Sequence, residues 1–212
     1  MIELRKVSIV AGGFSLRDIS FKVEDAEYAV LMGKTGSGKT TILESICGLR
    51  QVTGGEIILD GRPVTDLPPA KRHTGFVPQD LALFPTMTVR QHLEFAPRRH
   101  GFARARIARK VEELSGLLGI GDLLARRIRG LSGGEAQRVA LGRALAYEPP
   151  VLLMDEPFSA LDEWTREEMY QLLKEVRAST GVTVLHITHS RAEAEVLGDG
   201  LFLLESEGLG EE

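Results

Sequence analysis

Apolar and polar positions alternate from Ile2 to Val10 and again from Phe14 to Val23, where Phe14, Leu16, Ile19, Phe21 and Val23 carry the apolar side. Gly12-Gly13 separates the two runs, and period-two alternation across a two-glycine turn predicts a β-hairpin. Glu24 to Glu27 turns the chain into Tyr28-Ala29-Val30-Leu31-Met32, after which Thr40 to Leu49 takes helical spacing. Short strands are expected at Glu56–Asp60, closed by an Asp60-Gly61 turn, and at Thr74–Val77, closed by Pro78. Pro63, Pro68 and Pro69 break up the stretch between them.

Helical spacing returns at Val89 to Ala96 and Ala105 to Leu118, so residues 89–125 read as a mostly helical insertion. Ser132 to Tyr147 is a helix with an apolar stripe at Ala136, Val139, Ala140, Ala144 and Tyr147, stopped by Glu148-Pro149-Pro150. Val151 to Met154 is a continuous apolar run, the pattern of a strand buried on both faces, and Val182 to Thr188 reads as the next buried strand. Glu163 to Ser179 is a helix ended by Gly181, Arg191 to Leu197 a short helix, and Leu201 to Leu204 a last apolar stretch. The acidic, glycine-bearing tail Glu205 to Glu212 is expected to fray. The alternation of buried strands with helices predicts an α/β fold with a mostly parallel core sheet and an antiparallel β segment at its N-terminal side.

Composition narrows this picture without redirecting it. At 212 residues, 43% hydrophobic and 26% charged, the chain can bury a substantial core. A net charge of −4 gives no general reason to expect DNA or RNA. Arg98, Arg99, Arg104, Arg106, Arg109 and Lys110 are concentrated in one helical segment, which reads more readily as a solvated face than as a docking surface. Cys47 has no partner for a disulfide and falls among Ile42, Leu43, Ile46 and Leu49, as a small core residue would. No run is long enough to span a membrane, and the start of the chain lacks the pattern of a signal peptide.

The chemistry centres on Gly33-Lys34-Thr35-Gly36-Ser37-Gly38-Lys39-Thr40, which fits G-x-x-x-x-G-K-[ST] between a strand and a helix. Three glycines let successive N–H groups turn inward as an anion nest, and the helix N-terminus adds its positive end. Lys39 can extend along the β- and γ-phosphates, the Thr40 hydroxyl suits magnesium, and Thr41 offers a further donor. Asp155 and Glu156 follow a buried strand directly, where one carboxylate can hold magnesium and the next can polarise water. Leu131-Ser132-Gly133-Gly134-Glu135 opens a helix, with Ser132 as N-cap and Glu135 completing a capping box. Its free N–H groups form a second anion site.

This set of motifs resembles the ATP-binding subunits of ABC transporters. The phosphate loop, Gln79 after Val77-Pro78, Leu131–Glu135, Asp155-Glu156, Ser159-Ala160-Leu161-Asp162 and Ile187-Thr188-His189 come in that family's order, over roughly residues 2 to 204. The resemblance implies a P-loop NTPase fold of the ABC ATPase type as one domain over 1–212. A RecA-like core with its β subdomain would occupy 1–88 and 126–204, a helical subdomain about 89–125, and a tail 205–212. It implies ATP and Mg2+ as ligands, with Thr40, Gln79 and Asp155 at the metal and Lys39, Glu156 and His189 in catalysis. Ser132, Gly133, Gly134 and Asp162 would meet ATP held by a second subunit, most simply an identical one, and Gln79 would also sense a transmembrane permease. The work would be solute import from the cytoplasmic face of the membrane, with no nucleic acid involved. Gly75 to Pro85 is most similar to the ATPase subunits of molybdate, tungstate and sulfate uptake systems.

Two departures carry expectations of their own. Counted back from Gly33, the family's adenine-stacking aromatic falls on Val10, with Phe14 the nearest ring. The chain also leaves no room for a C-terminal regulatory domain. Other functions fit less of the chain. Soluble relatives in DNA repair carry a long coiled coil between phosphate loop and signature, and no sustained heptads separate Lys39 from Ser132. A small-molecule kinase would leave Leu131–Glu135 unexplained.

Overall fold

The computed structural model describes residues 1–205 and 208–211, those from 205 onward as backbone alone. The expected hairpin is β1 (Ile2–Ala11) and β2 (Phe14–Val23), closed by a two-residue turn so that Ala11 faces Phe14. β4 (Gly54–Leu59) pairs with the other edge of β1 and with the two-residue β5 (Arg62–Pro63) across the Asp60-Gly61 turn, giving an antiparallel sheet in the order β2-β1-β4-β5. Pro63, expected only as a breaker, sits in this edge strand, where its missing N–H costs no ladder bond.

The second sheet contains β3 (Tyr28–Gly33), β6 (Thr74–Val77), β7 (Val151–Asp155), β8 (Thr183–Ile187), β9 (Gly200–Glu205) and β10 (Gly208–Glu211), ordered β10-β9-β3-β8-β7-β6. β9, β3, β8, β7 and β6 run parallel. β10 returns antiparallel on β9, pairing Leu209 with Leu204. The tail expected to fray therefore contributes a strand, paired through its backbone to β9.

Alternation on β3 divides the core. Ala29 and Leu31 face α1 (Lys39–Cys47) and the antiparallel sheet, while Tyr28, Val30 and Met32 face the remaining helices. Those are α2 (Val89–Arg99), α3 (Arg104–Leu117), α4 (Gly133–Leu145), α5 (Glu163–Thr180) and α6 (Arg191–Leu197). α2 runs to Arg99, past the expected Ala96 and through Pro97. Only the Leu93 carbonyl loses its donor there, and His100 N–H still bonds Ala96. α4 is buried more widely than the apolar stripe suggests, including Gln137, Leu141 and Leu145. α2 and α3 wrap its outer side, and a Cβ on Gly142 would stand 2.6 Å from Leu93 and 2.8 Å from Leu118. Of the basic cluster, Arg98, Arg106, Arg109 and Lys110 pair with Glu94, Glu148 and Glu113 of the same chain, as a solvated face does. Cys47 is buried, and burial pushes its thiol up to about 12, so it is inert at neutral pH.

Candidate functional site

Parallel strands bring their carboxyl ends to one edge, and the residue that follows each end is where chemistry collects. Gly33 ends β3 and opens the phosphate loop, Asp155 ends β7, and Thr188-His189 follows β8 between them. Gln79 lies two residues beyond β6, next to β7.

The phosphate loop is built to hold an anion. α2, α4, α5 and α6 are each capped by a side chain, Thr88, Ser132, Asp162 and Ser190. α3, behind Ala103, and α1 are not: the N-cap of α1 is Gly38, left-handed at φ 101° with no side-chain bond. The first-turn N–H groups therefore keep their donors. Ser37 Oγ is buried with no hydrogen-bond partner among the described residues, an orphan that a phosphate oxygen would satisfy. Lys39 is buried, its Nζ donating to the Gly33 and Lys34 carbonyls at 2.9 and 3.0 Å. Its ammonium is thus folded against the loop it would share with phosphate. Thr35 and Gly36 are exposed along the same rim.

Asp155 is buried, and burial pushes its carboxyl up, opposed by a hydrogen bond from Thr40 and the charge of Lys39. This oxygen pair fits a hard cation such as Mg2+, which takes few protein ligands when a substrate supplies phosphate oxygens. Thr41 follows in the first turn of α1, half-buried. Glu156 adopts φ 43°, sparsely populated for a residue with a Cβ. Its N–H bonds the Ile187 carbonyl, and its Oε2 stands 3.5 Å from His189 Nδ1. Gln79 is exposed and hydrogen-bonded to nothing among the described residues.

A cavity of about 1060 Å³ opens beside Gly33–Ser37 and is bordered by His189, Phe14 and the first turn of α6. It stops short of Thr40, which is exposed, of the half-buried Glu156 and of the buried Asp155. Val10 is 57% exposed and does not reach the cavity. The ring that does is Phe14, packed so closely on the loop that a Cβ at Gly38 would stand 2.8 Å from it. Val10 and Phe14 stand on either side of the hairpin turn, and it is β2 that faces the loop. Ser37 and Arg191, which also edge the cavity, gave no signal beyond membership in the loop and a helix start.

A second group forms around the start of α4. Ser132 caps it reciprocally with Glu135: Glu135 N–H donates to Ser132 Oγ at 3.2 Å, and Ser132 N–H donates to Glu135 Oε2 at 2.7 Å. Asp162 caps α5, accepting from Thr165 N–H at 3.0 Å and Thr165 Oγ1 at 2.7 Å, and these bonds hold its carboxyl below the usual range. Gly133 lies over Leu161 and Gly134 over Thr165. Among the described residues this group shares no hydrogen bond or ion pair with the phosphate loop, Asp155 or His189.

The packing under Gly134 makes a test. A Cβ there would stand 2.6 Å from Thr165 Cγ2, and Thr165 cannot swing away without leaving Asp162. Gly134→Ala is expected to destabilise by about 1–3 kcal/mol, whereas Gly133→Ala, whose nearest neighbour is 3.4 Å away, should cost less than about 1 kcal/mol. Urea unfolding of the two variants side by side checks this.

The fold and site together define an ATP-binding cassette. Residues 16–159 match the ABC transporter family model, and the chain belongs to that family. It is 48% identical over 186 residues to the molybdate/tungstate import ATP-binding protein WtpC of Thermococcus kodakarensis, covering 88% of this chain and 56% of that protein. To WtpC of Methanocaldococcus jannaschii it is 41% identical, covering 96% and 68%. To the sn-glycerol-3-phosphate import ATP-binding protein UgpC 3 of Rhizobium etli it is 42% identical, covering 90% and 55%. The chain thus spans a little over half the length of several of the curated relatives it matches. It superposes on the dimeric structure of the bacterial ABC transporter cassette MJ0796 with TM-score 0.87 at 30% identity, covering 100% of this chain and 98% of that one. A post-hydrolysis state of that cassette, bound to ADP and Pi, gives TM-score 0.86.

Proposed function

We propose that this chain binds MgATP at Gly33–Thr41 and hydrolyses it in a head-to-tail pair of identical chains, powering import of an inorganic oxyanion through a separate membrane permease. The observation that carries the reading is the convergence at one sheet edge. An uncapped helix N-terminus, the unpartnered Ser37 hydroxyl, the Thr40–Asp155 pair and the Glu156–His189 pair all stand where three neighbouring parallel strands end.

Lys39 would leave its own loop carbonyls for the β- and γ-phosphates. Thr40, Asp155 and, once drawn inward, Gln79 would hold Mg2+, which when bound neutralises phosphate charge. Glu156 would orient and deprotonate the attacking water, and His189 would hold the γ-phosphate opposite it. Phe14 is the ring available to the base. The Ser132–Gly134 turn and Asp162, separate from the phosphate loop in one chain, would close on the ATP of the other; the dimeric form of the related cassette supports this. Residues 1–88 and 126–204 would act as the nucleotide-binding core, with about 89–125 as an arm. Phe84 and Phe95, exposed with rings 5.2 Å apart, would present an apolar step to the permease. Among the described residues no helix is long and apolar enough to cross a membrane, so attachment to the cytoplasmic face would run through that partner. The WtpC relatives support an oxyanion as solute.

The purified chain should release phosphate from MgATP at a steady rate that falls to background when EDTA removes the metal. ATP turnover that persists without divalent cation, or no ATP binding at all, would overturn the reading.

A further inference from the structure

One buried carboxylate has no part in the chemistry above. Glu193, on α6, points inward and is 5% exposed. Its Oε2 stands 3.4 Å from Nε2 of His186 on β8, a residue with no exposed surface. His186 Nδ1 is hydrogen-bonded to the Tyr28 hydroxyl of β3 at 2.9 Å, while its Nε2 has no hydrogen-bond partner among the described residues. Phe158 stands edge-on to the same imidazole. The Thr188 and Tyr170 hydroxyls lie against the Glu193 carboxylate, and Arg166 of α5 adds its charge from that side. Burial works against this carboxylate, yet His186 and Thr188 hold its pKa below the usual value.

The arrangement encloses a catalytic residue. Thr188 Oγ1, against Glu193, also accepts the Ser190 N–H at 3.0 Å, and Ser190 Oγ accepts the Glu193 N–H at 3.3 Å. His189 is the residue between Thr188 and Ser190. Its backbone is thus flanked by two hydroxyls, Thr188 Oγ1 against the Glu193 carboxylate and Ser190 Oγ on the Glu193 main-chain N–H, while its own ring is two-thirds exposed and stands 3.5 Å from Glu156 Oε2. An exposed imidazole cannot fix its own direction, so the direction must come from the turn that carries it.

We infer that Glu193 is a positioning residue for the hydrolysis reaction: clamped by His186, Thr188 and Tyr170, it sets the turn that aims His189 at the γ-phosphate. The inference rests on the proposed ATPase reading. Because it acts through His189, its effect must vanish when His189 is absent, whereas a residue that merely stabilises the fold would act equally in both backgrounds.

The test is steady-state ATP hydrolysis by wild type, Glu193→Gln, His189→Ala and the double variant. Glu193→Gln should lower kcat about ten- to a hundredfold with KM for MgATP within about twofold, and add no further loss to His189→Ala. A kcat within twofold of wild type, or the same loss in both backgrounds, overturns the inference. Should Glu193→Gln not fold, Thr188→Val and Thr188→Ser replace it: the valine variant should reproduce the loss and the serine variant should not, and equal kcat in the two overturns the inference. A readout independent of turnover separates its failure from failure of the ATPase reading. In the ATP-free protein, the His189 ring resonances of histidine-labelled Glu193→Gln, or of Thr188→Val against Thr188→Ser, should move toward averaged values. Unchanged resonances count against the clamp even if the chain hydrolyses no ATP.

Discussion

Glu156→Gln is expected to lower ATP turnover by about two to four orders of magnitude, the scale of losing a general base, while leaving MgATP affinity within a few-fold of wild type. The two halves of this expectation come from different atoms. The amide keeps the size and the main-chain bond to Ile187 that hold the residue in its left-handed conformation, so the turn survives. It cannot take a proton from water, and it no longer offers His189 a charge 3.5 Å away. Affinity is preserved because Thr40 and Asp155 pair without it, and Lys39 bonds the loop carbonyls of Gly33 and Lys34 rather than Glu156. Single-turnover phosphate release beside equilibrium ATP binding measures both. A variant that loses binding and turnover in parallel would place Glu156 among the ligands rather than at the water.

Lys39→Ala should show the opposite split. Removing the ammonium from a site that concentrates phosphate charge is expected to weaken MgATP binding by about a hundredfold or more. The ATP-free protein should also lose stability, because Lys39 is buried and ties the Gly33 and Lys34 carbonyls together. Two charge-assisted bonds to main-chain oxygens suggest about 1–3 kcal/mol. Titration calorimetry with MgATP, paired with urea unfolding of both proteins without nucleotide, separates the two effects. Binding within a few-fold of wild type would remove Lys39 from the phosphate site.

That second effect shows where sequence reading stops. The pattern G-x-x-x-x-G-K-[ST] states that Lys39 faces phosphate; nothing in it says what the ammonium does without ligand, because carbonyl acceptors are common to every residue. The apolar runs Tyr28–Met32 and Val151–Met154 were legible as buried strands because a parallel sheet covered on both faces leaves little room for polar alternation. Their order β3-β8-β7 was not, since it depends on which strand intervenes, and that order brings His189 between the phosphate loop and Glu156. The Ser132–Glu135 capping box was legible to the atom because it is closed within four residues. Phe14 at the cavity was hidden, standing across the hairpin turn from Val10. The Glu193 clamp was equally hidden, assembled from β3, β8, α5 and α6. Local chemistry survives in a sequence; chemistry assembled across the sheet does not.

The central claim is that one ATP is held by the phosphate loop of one chain and the Ser132–Gly134 turn of another. Within a single chain the phosphate loop and the Ser132–Gly134 turn share no hydrogen bond among the described residues. Sedimentation velocity of Glu156→Gln, with hydrolysis blocked, tests this most directly. With saturating MgATP the protein should sediment as a dimer, since a ligand bound between two chains favours the pair by mass action, and with EDTA it should return to monomer. A chain that binds MgATP to saturation and still sediments as a monomer would contradict the shared site.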